Sequence, residues 1–253
     1  MNALSLLAKR LLWPGPDYST RSRYTLRKRF LTGPEVTTLD IGCGNGCMTM
    51  AAAARGASAL GITVQPEFIE RAEAFRNYIG LAPEKCRFKA LSIYELADKP
   101  LGQFDQIILF EVLEHLYHDE LAMSICARHL KKDGWLHVSV PNRDSHVHFE
   151  GVARTETGAH VRHGYDVASL EALVRRHGLE PIDRAGVGGL GTVLGFLAVV
   201  HAGRLPGVLG RAASAAAFVL VWPFVKVLDL FPSRPLSLYV LVAKRDQRPP
   251  LDR

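Results

Sequence analysis

Two groups of residues in this chain could carry chemistry by their types and spacing. The first is Leu39-Asp40-Ile41-Gly42-Cys43-Gly44-Asn45-Gly46, an acid followed by glycines at alternate positions. Glycine enters left-handed backbone geometry without a Cβ penalty, so main chain in such a turn can approach a ligand closely. The amides of a following helix then point at that ligand. The spacing Asp40-x-Gly42-x-Gly44-x-Gly46 is not the G-x-G-x-x-G of nicotinamide binders. The second group is Glu111, Glu114 and His115. Imidazole titrates near neutrality, which makes His115 a candidate general base with the Glu114 carboxylate beside it. Further along, Asn142, His146, His148, His163 and Tyr165 fall in or beside a polar stretch at 143–166 that would wall an acceptor site. His146-x-His148 and His160-x-x-His163 have no carboxylate cluster at a defined spacing, so no metal site is expected there.

These groups need a scaffold that brings them to one place. Between Val36 and Val140 short β-like runs alternate with helical stretches. Strands are expected at Val36–Ile41, Ala57–Val64, Cys86–Leu91, Gln106–Phe110 and Trp135–Val140. Helices are expected from the glycine turn through Arg55, from Pro66 to about Ile79, and over Asp119–Leu130, with Asp133-Gly134 as a break. Val167–His177 reads as a helix with Leu170, Leu173 and Val174 on one face and Gly178 as its stop. Leu179–Ala185 and Leu236–Val242 complete the strands. This alternation implies an α/β fold: a Rossmann-like, seven-stranded, mostly parallel sheet with helices on both faces. In open sheets of this type ligands bind at the carboxyl ends of the strands, where the glycine turn and Glu111–His115 both fall.

The chain divides into a basic amphipathic cap at 1–34, a Rossmann-like domain at 35–185, an apolar helical insertion at 186–232 and a last strand with a polar tail at 233–253. The net charge of +6 comes wholly from the cap, which holds seven cations (Lys9, Arg10, Arg21, Arg23, Arg27, Lys28, Arg29) against Asp17. Such a concentration suits an anionic partner. The amino terminus lacks a long apolar h-region and a cleavage site, and reads as one short amphipathic helix ended by Trp13-Pro14-Gly15-Pro16. In the insertion, Ala185–Gly203 and Ala212–Val225 carry no Lys, Arg, Asp or Glu. The first has six glycines and the second only 14 residues before Lys226, which favours contact with a membrane surface or a lid over a span. Cys43, Cys47, Cys86 and Cys126 form no C-x-x-C pair and read as buried thiols in a reducing compartment.

The run Val36-Thr37-Thr38-Leu39-Asp40-Ile41-Gly42-Cys43-Gly44-Asn45-Gly46 resembles the first motif of class I S-adenosylmethionine-dependent methyltransferases. The resemblance continues in the family's order through Gly61–Ala72, through Phe110-Glu111-Val112-Leu113-Glu114-His115, which is similar to its E-V-L-E-H signature, and through Leu130–Trp135. His160-Val161-Arg162-His163-Gly164-Tyr165 resembles an H-V-R run of its small-molecule branch. The resemblance implies S-adenosylmethionine as cofactor, held by Asp40, Gly42, Cys43, Gly44, Gly46, Thr63, Val64, Gln65, Ser92, Ile93, Phe110 and Glu111. It implies O- or N-methylation of a small-molecule or lipid-linked acceptor, and the basic cap with the apolar insertion suggests a cytoplasmic protein peripheral at the inner face of a membrane. Thr63 and Ser92 stand where the family places acids for ribose and adenine, which leaves that end of the pocket uncharged. A non-catalytic, methyltransferase-like binding protein is the alternative those two replacements feed. A nucleic-acid methyltransferase is a weaker one, since no N-P-P-Y-like tetrapeptide follows strand four.

Overall fold

The structure, a computed structural model, describes residues 3–15, 17–145, 152, 156 and 158–244. Seven strands form one sheet: β1 (Thr37–Ile41), β2 (Ser58–Thr63), β3 (Cys86–Ala90), β4 (Phe104–Phe110), β5 (Leu130–Pro141), β6 (Leu179–Val187) and β7 (Ser237–Lys244). Their order is β3-β2-β1-β4-β5-β7-β6, and β7 alone runs antiparallel to its neighbours. The expected fold class is therefore present, with every expected strand found. Strand boundaries differ where pairing overrides local sequence. β5 begins at Leu130, which pairs with Phe104, and Asp133 takes a left-handed φ of 60° within the strand instead of ending a helix.

Alternate residues of the central strand serve opposite layers. Ile107 and Leu109 face a core closed by α5 (Asp119–His129) and α6 (Val167–Arg176). Ile108 and Phe110 face the other core, closed by α3 (Cys47–Ala53) and α4 (Pro66–Tyr78). This period of two on a sheet buried from both sides explains the nearly continuous apolar run Ile107–Phe110. All four cysteines are buried, and burial pushes the thiols of Cys47, Cys86 and Cys126 up to about 12.

The amino-terminal cap holds more than one helix. After α1 (Ala3–Leu11), Asp17 caps α2 (Tyr18–Tyr24) by accepting from the amides of Ser19 and Thr20, and a 3-10 turn covers Thr25–Arg29. The insertion is a helical hairpin of α7 (Leu190–Ala202) and α8 (Gly207–Leu228). A Cβ on Gly191 would meet the Val225 carbonyl oxygen at 2.2 Å, so glycine permits this crossing. Cap and insertion pack on each other: Tyr18 is buried against Phe218 and Val225, and its hydroxyl donates to the Phe218 carbonyl. Several cap cations are used inside the fold. Arg21 donates to the carbonyls of Leu12 and Gly15, Arg29 pairs with Asp183, and Arg23 reaches Glu111.

Candidate active site

The glycine turn lies between β1 and α3. Gly42, Gly44 and Gly46 have φ of 72°, 50° and 77°, the left-handed region that side chains resist. The amides of Gly42 and Cys43 both donate to the Ile62 carbonyl at 2.9 Å, which ties the turn to β2. A Cβ on Gly42 would strike Val112 at 2.4 Å and one on Gly46 would strike Phe88 at 2.7 Å. At Gly44 the nearest atom is the Gly42 oxygen at 4.0 Å, so its open side faces free space. Two of the glycines thus serve packing and the third leaves a cradle.

Asp40 is buried beneath that turn and accepts from the Thr49 hydroxyl at 2.6 Å. Burial raises its carboxyl to about 7, and the Thr49 hydrogen bonds only partly oppose the rise. A carboxyl with a raised folded-state pKa stabilises the fold fully below its ordinary value of 3.8, and that contribution is lost as pH rises to about 7. Asp40→Asn is therefore expected to flatten the decline in stability over this window, as read by denaturant midpoints at several pH values.

Thr63 ends β2 as a buried residue, with its hydroxyl 3.4 Å from the Gln65 amide. Val64 is exposed and Gln65 is the half-buried residue before α4. Ser92 and Ile93 follow β3: the Ser92 hydroxyl accepts from the Tyr94 amide at 3.3 Å, and Ile93 is buried in the core. Phe110 is buried against Phe30 and Tyr239, on the sheet face away from the turn at Ser92.

At the end of β4, Glu111 takes a φ of 53°, the left-handed conformation, while its amide donates to the Ser139 carbonyl at 2.8 Å. A non-glycine residue held this way signals a functional constraint. Its carboxylate meets the Ser139 hydroxyl at 3.0 Å, the Ser237 hydroxyl at 3.4 Å and the Arg23 guanidinium at 3.3 Å. Arg23 also lies close enough to Cys47, at the start of α3, to act on its thiol electrostatically. One cap arginine is therefore held at the end of β4.

Glu114 and His115 sit in a 3-10 turn at Leu113–His115. Glu114 is 1% exposed and neither carboxylate oxygen has a hydrogen-bond partner. Burial, reinforced by Glu111, holds its carboxyl well above the ordinary range. His115 is part-exposed, with Nδ1 2.9 Å from the Ala159 carbonyl and Nε2 3.8 Å from Glu114 Oε1. Since a carbonyl only accepts, Nδ1 carries the proton, and Nε2 keeps its lone pair toward the carboxyl. His160 stacks edge-on against His115 at 4.8 Å, and burial lowers its pKa. Ligand atoms of Glu114, His115 and His160 lie within 4.8 Å of one another. A group capable of holding a cation is thus assembled by the fold where the linear histidine spacing gave no reason to expect one.

The expected acceptor wall is divided. His146 and His148 lie outside the described residues. His163 is exposed. Asn142 and Tyr165 are scaffold contacts: Asn142 donates to the Pro235 carbonyl at 2.9 Å, and the buried Tyr165 hydroxyl donates to Asp119 at 2.7 Å. The Val161 amide donates to the Glu114 carbonyl at 2.8 Å, which holds the 160–165 run over the Glu114–His115 turn. Arg23 is a cap cation that no sequence motif ties to this site; the charge of the cap is the one signal that points to it.

A family model described as a methyltransferase domain matches residues 39–136. The chain is 29% identical over 157 residues to a ubiquinone biosynthesis O-methyltransferase of Bordetella avium, covering 59% of this chain and 64% of that protein. It is 30% identical over 118 residues to a mitochondrial ubiquinone biosynthesis O-methyltransferase of Mus musculus, covering 47% of this chain and 32% of that one. The chain thus spans about a third to two thirds of the length of these relatives. Among solved structures, the [4+2]-cyclase SpnF superimposes with a TM-score of 0.63 at 22% identity, covering 90% of this chain and 81% of the cyclase. An S-adenosylmethionine-dependent methyltransferase, described as putative, from Listeria monocytogenes gives 0.60 at 15% identity, covering 90% and 100%.

Proposed function

We propose that this chain, in which residues 39–136 match the methyltransferase domain family and the sheet has the class I methyltransferase fold, transfers a methyl group from S-adenosylmethionine to a hydroxyl of a small, apolar or lipid-linked acceptor at the inner face of a membrane. The observation that carries this reading is that the Gly42–Gly46 turn and the Glu111–His115 segment follow the carboxyl ends of the adjacent parallel strands β1 and β4, with Gly42 close against Val112. The relatives are O-methyltransferases, which favours a hydroxyl over an amine.

The residues fit the cofactor. The open side of Gly44 offers main chain for close approach, and Arg23 offers a cation for a carboxylate at the end of β4. Thr63 and Ser92 supply hydroxyls toward ribose and adenine. When bound, S-adenosylmethionine supplies an electrophilic methyl on a sulfonium leaving group. The chain's own part is to position the acceptor and remove its proton. His115 Nε2, with Nδ1 fixed by Ala159, is the group placed to take a hydroxyl proton, and the buried Glu114 carboxyl lies beside it at 3.8 Å.

Arg23→Ala is expected to weaken cofactor affinity roughly 10–100-fold, the usual effect of losing a charge-assisted hydrogen bond, by calorimetry. The reading as a whole is tested with methyl-labelled cofactor and a fractionated cell extract. Label in the lipid or quinone fraction supports it, and label in RNA or in none of the fractions contradicts it. A second reading, cofactor binding without methyl transfer, draws on the cyclase that shares this fold. It predicts binding with no transfer to any fraction.

A further inference from the structure

The outward face of α8 is apolar where a helix of a water-facing protein carries polar groups. Positions 208, 209, 212, 215, 216, 219, 220, 223, 224 and 227 are exposed and follow the i, i+4, i+7, i+8 spacing of one face, with the exposed cations Arg211 and Lys226 along its edge. Every one holds Val, Leu, Ala, Pro or Phe, with Leu220 71% and Phe224 68% exposed. The face continues into Leu230 and Phe231, at 82% and 60%. A contiguous exposed apolar surface of this extent marks an interaction site.

Charge identifies what covers it. Residues 186–236 contain Arg204, Arg211, Lys226 and Arg234 against one acid, Asp229, whose carboxylate accepts from the amide and hydroxyl of Thr192. Beside Leu230 and Phe231 opens a cleft of about 1150 Å³ between cap and insertion, lined by Arg27, Lys28, Arg29 and Lys226, of which Arg29 pairs with Asp183 and Arg27 donates to the Tyr24 carbonyl. An apolar face bordered by cations, with a cationic cleft at its edge, complements a bilayer surface bearing anionic lipids.

The packing also fixes orientation. At 22 residues α8 is long and apolar enough to cross a membrane. Its opposite face, however, carries α2: Arg21 stacks over Phe218 at 4.8 Å and over Trp222 at 5.0 Å. A spanning α8 would drag these cations into hydrocarbon. We infer that α8 lies in the plane of an anionic membrane surface, its outward face in the acyl boundary and a lipid headgroup phosphate in the cleft beside it. This docking does not require methyl transfer.

The full chain is tested by flotation with phosphatidylcholine vesicles and with vesicles containing phosphatidylglycerol. Binding to the anionic vesicles alone is expected. Leu220→Glu with Phe224→Glu should weaken it at least about tenfold, and Lys28→Gln or Lys226→Gln about fivefold each. Calorimetry with S-adenosylmethionine on the same variants keeps a failure of docking distinct from a failure of the cofactor reading. Absence of vesicle binding by the unmodified chain overturns the inference. So does a dimer dispersed by Leu220→Glu with Phe224→Glu, which would assign the face to a second copy. Resistance to carbonate extraction overturns the in-plane orientation.

Discussion

Replacing His115 by alanine is expected to lower kcat for methyl transfer by about 10²–10⁴-fold, the range for loss of a general base, with cofactor affinity nearly unchanged. Its geometry separates the two effects. Nδ1 is held by Ala159 and Nε2 lies 3.8 Å from Glu114, both outside the glycine turn. Glu114→Gln should fall less far, because the imidazole remains and only the buried carboxyl beside it is replaced. A base accepts a proton only in its deprotonated form, so kcat/KM should rise with pH in the unmodified protein. In Glu114→Gln the buried carboxyl, whose titration is raised by burial and Glu111, is gone, so the shape of that profile should change. A purely structural role for Glu114 would lower activity without moving the profile.

Gly44→Val is expected to abolish measurable cofactor binding while the protein stays folded. At a φ of 50°, a β-branched side chain costs about 1–2 kcal/mol, a loss most domains of this size survive. Within the protein the added Cβ meets nothing nearer than the Gly42 oxygen at 4.0 Å, so the branched side chain extends into the cradle itself. Gly46→Val provides the contrast. Its side chain collides with Phe88 at 2.7 Å and with Ala72 at 3.1 Å, so its main effect should be on the thermal midpoint. Circular dichroism melts alongside calorimetry distinguish the two variants.

The scaffold was legible because its signals are local. The period of two in Gln106–Phe110, the punctuation at Pro66 and Gly178 and the order of motifs each specify an element from neighbouring residues. Boundaries shifted where a distant partner decides, as at Leu130, which enters β5 by pairing with Phe104. The site was legible only in part for the same reason. Gly42, Gly44, Gly46, Glu111, Glu114 and His115 lie within short motifs and meet at the carboxyl ends of two adjacent strands. Arg23 reaches Glu111 through packing of α2 on α8, exemplified by Tyr18 and Phe218, 200 positions apart. His160 joins His115 because the Val161 amide bonds the Glu114 carbonyl. No periodicity in the chain encodes either meeting. Tyr165 illustrates the converse: its position in an H-V-R run suggests acceptor contact, yet burial and Asp119 make it part of the scaffold.

In the function proposed for this chain, the Gly42–Gly46 turn, with Arg23 and Glu111, holds S-adenosylmethionine. Calorimetric titration of the purified chain with S-adenosylmethionine tests it most directly. Saturable one-to-one binding that disappears in Gly44→Val and weakens in Arg23→Ala is the predicted result. A folded chain that gives no binding heat, or binding that Gly44→Val leaves intact, would contradict it.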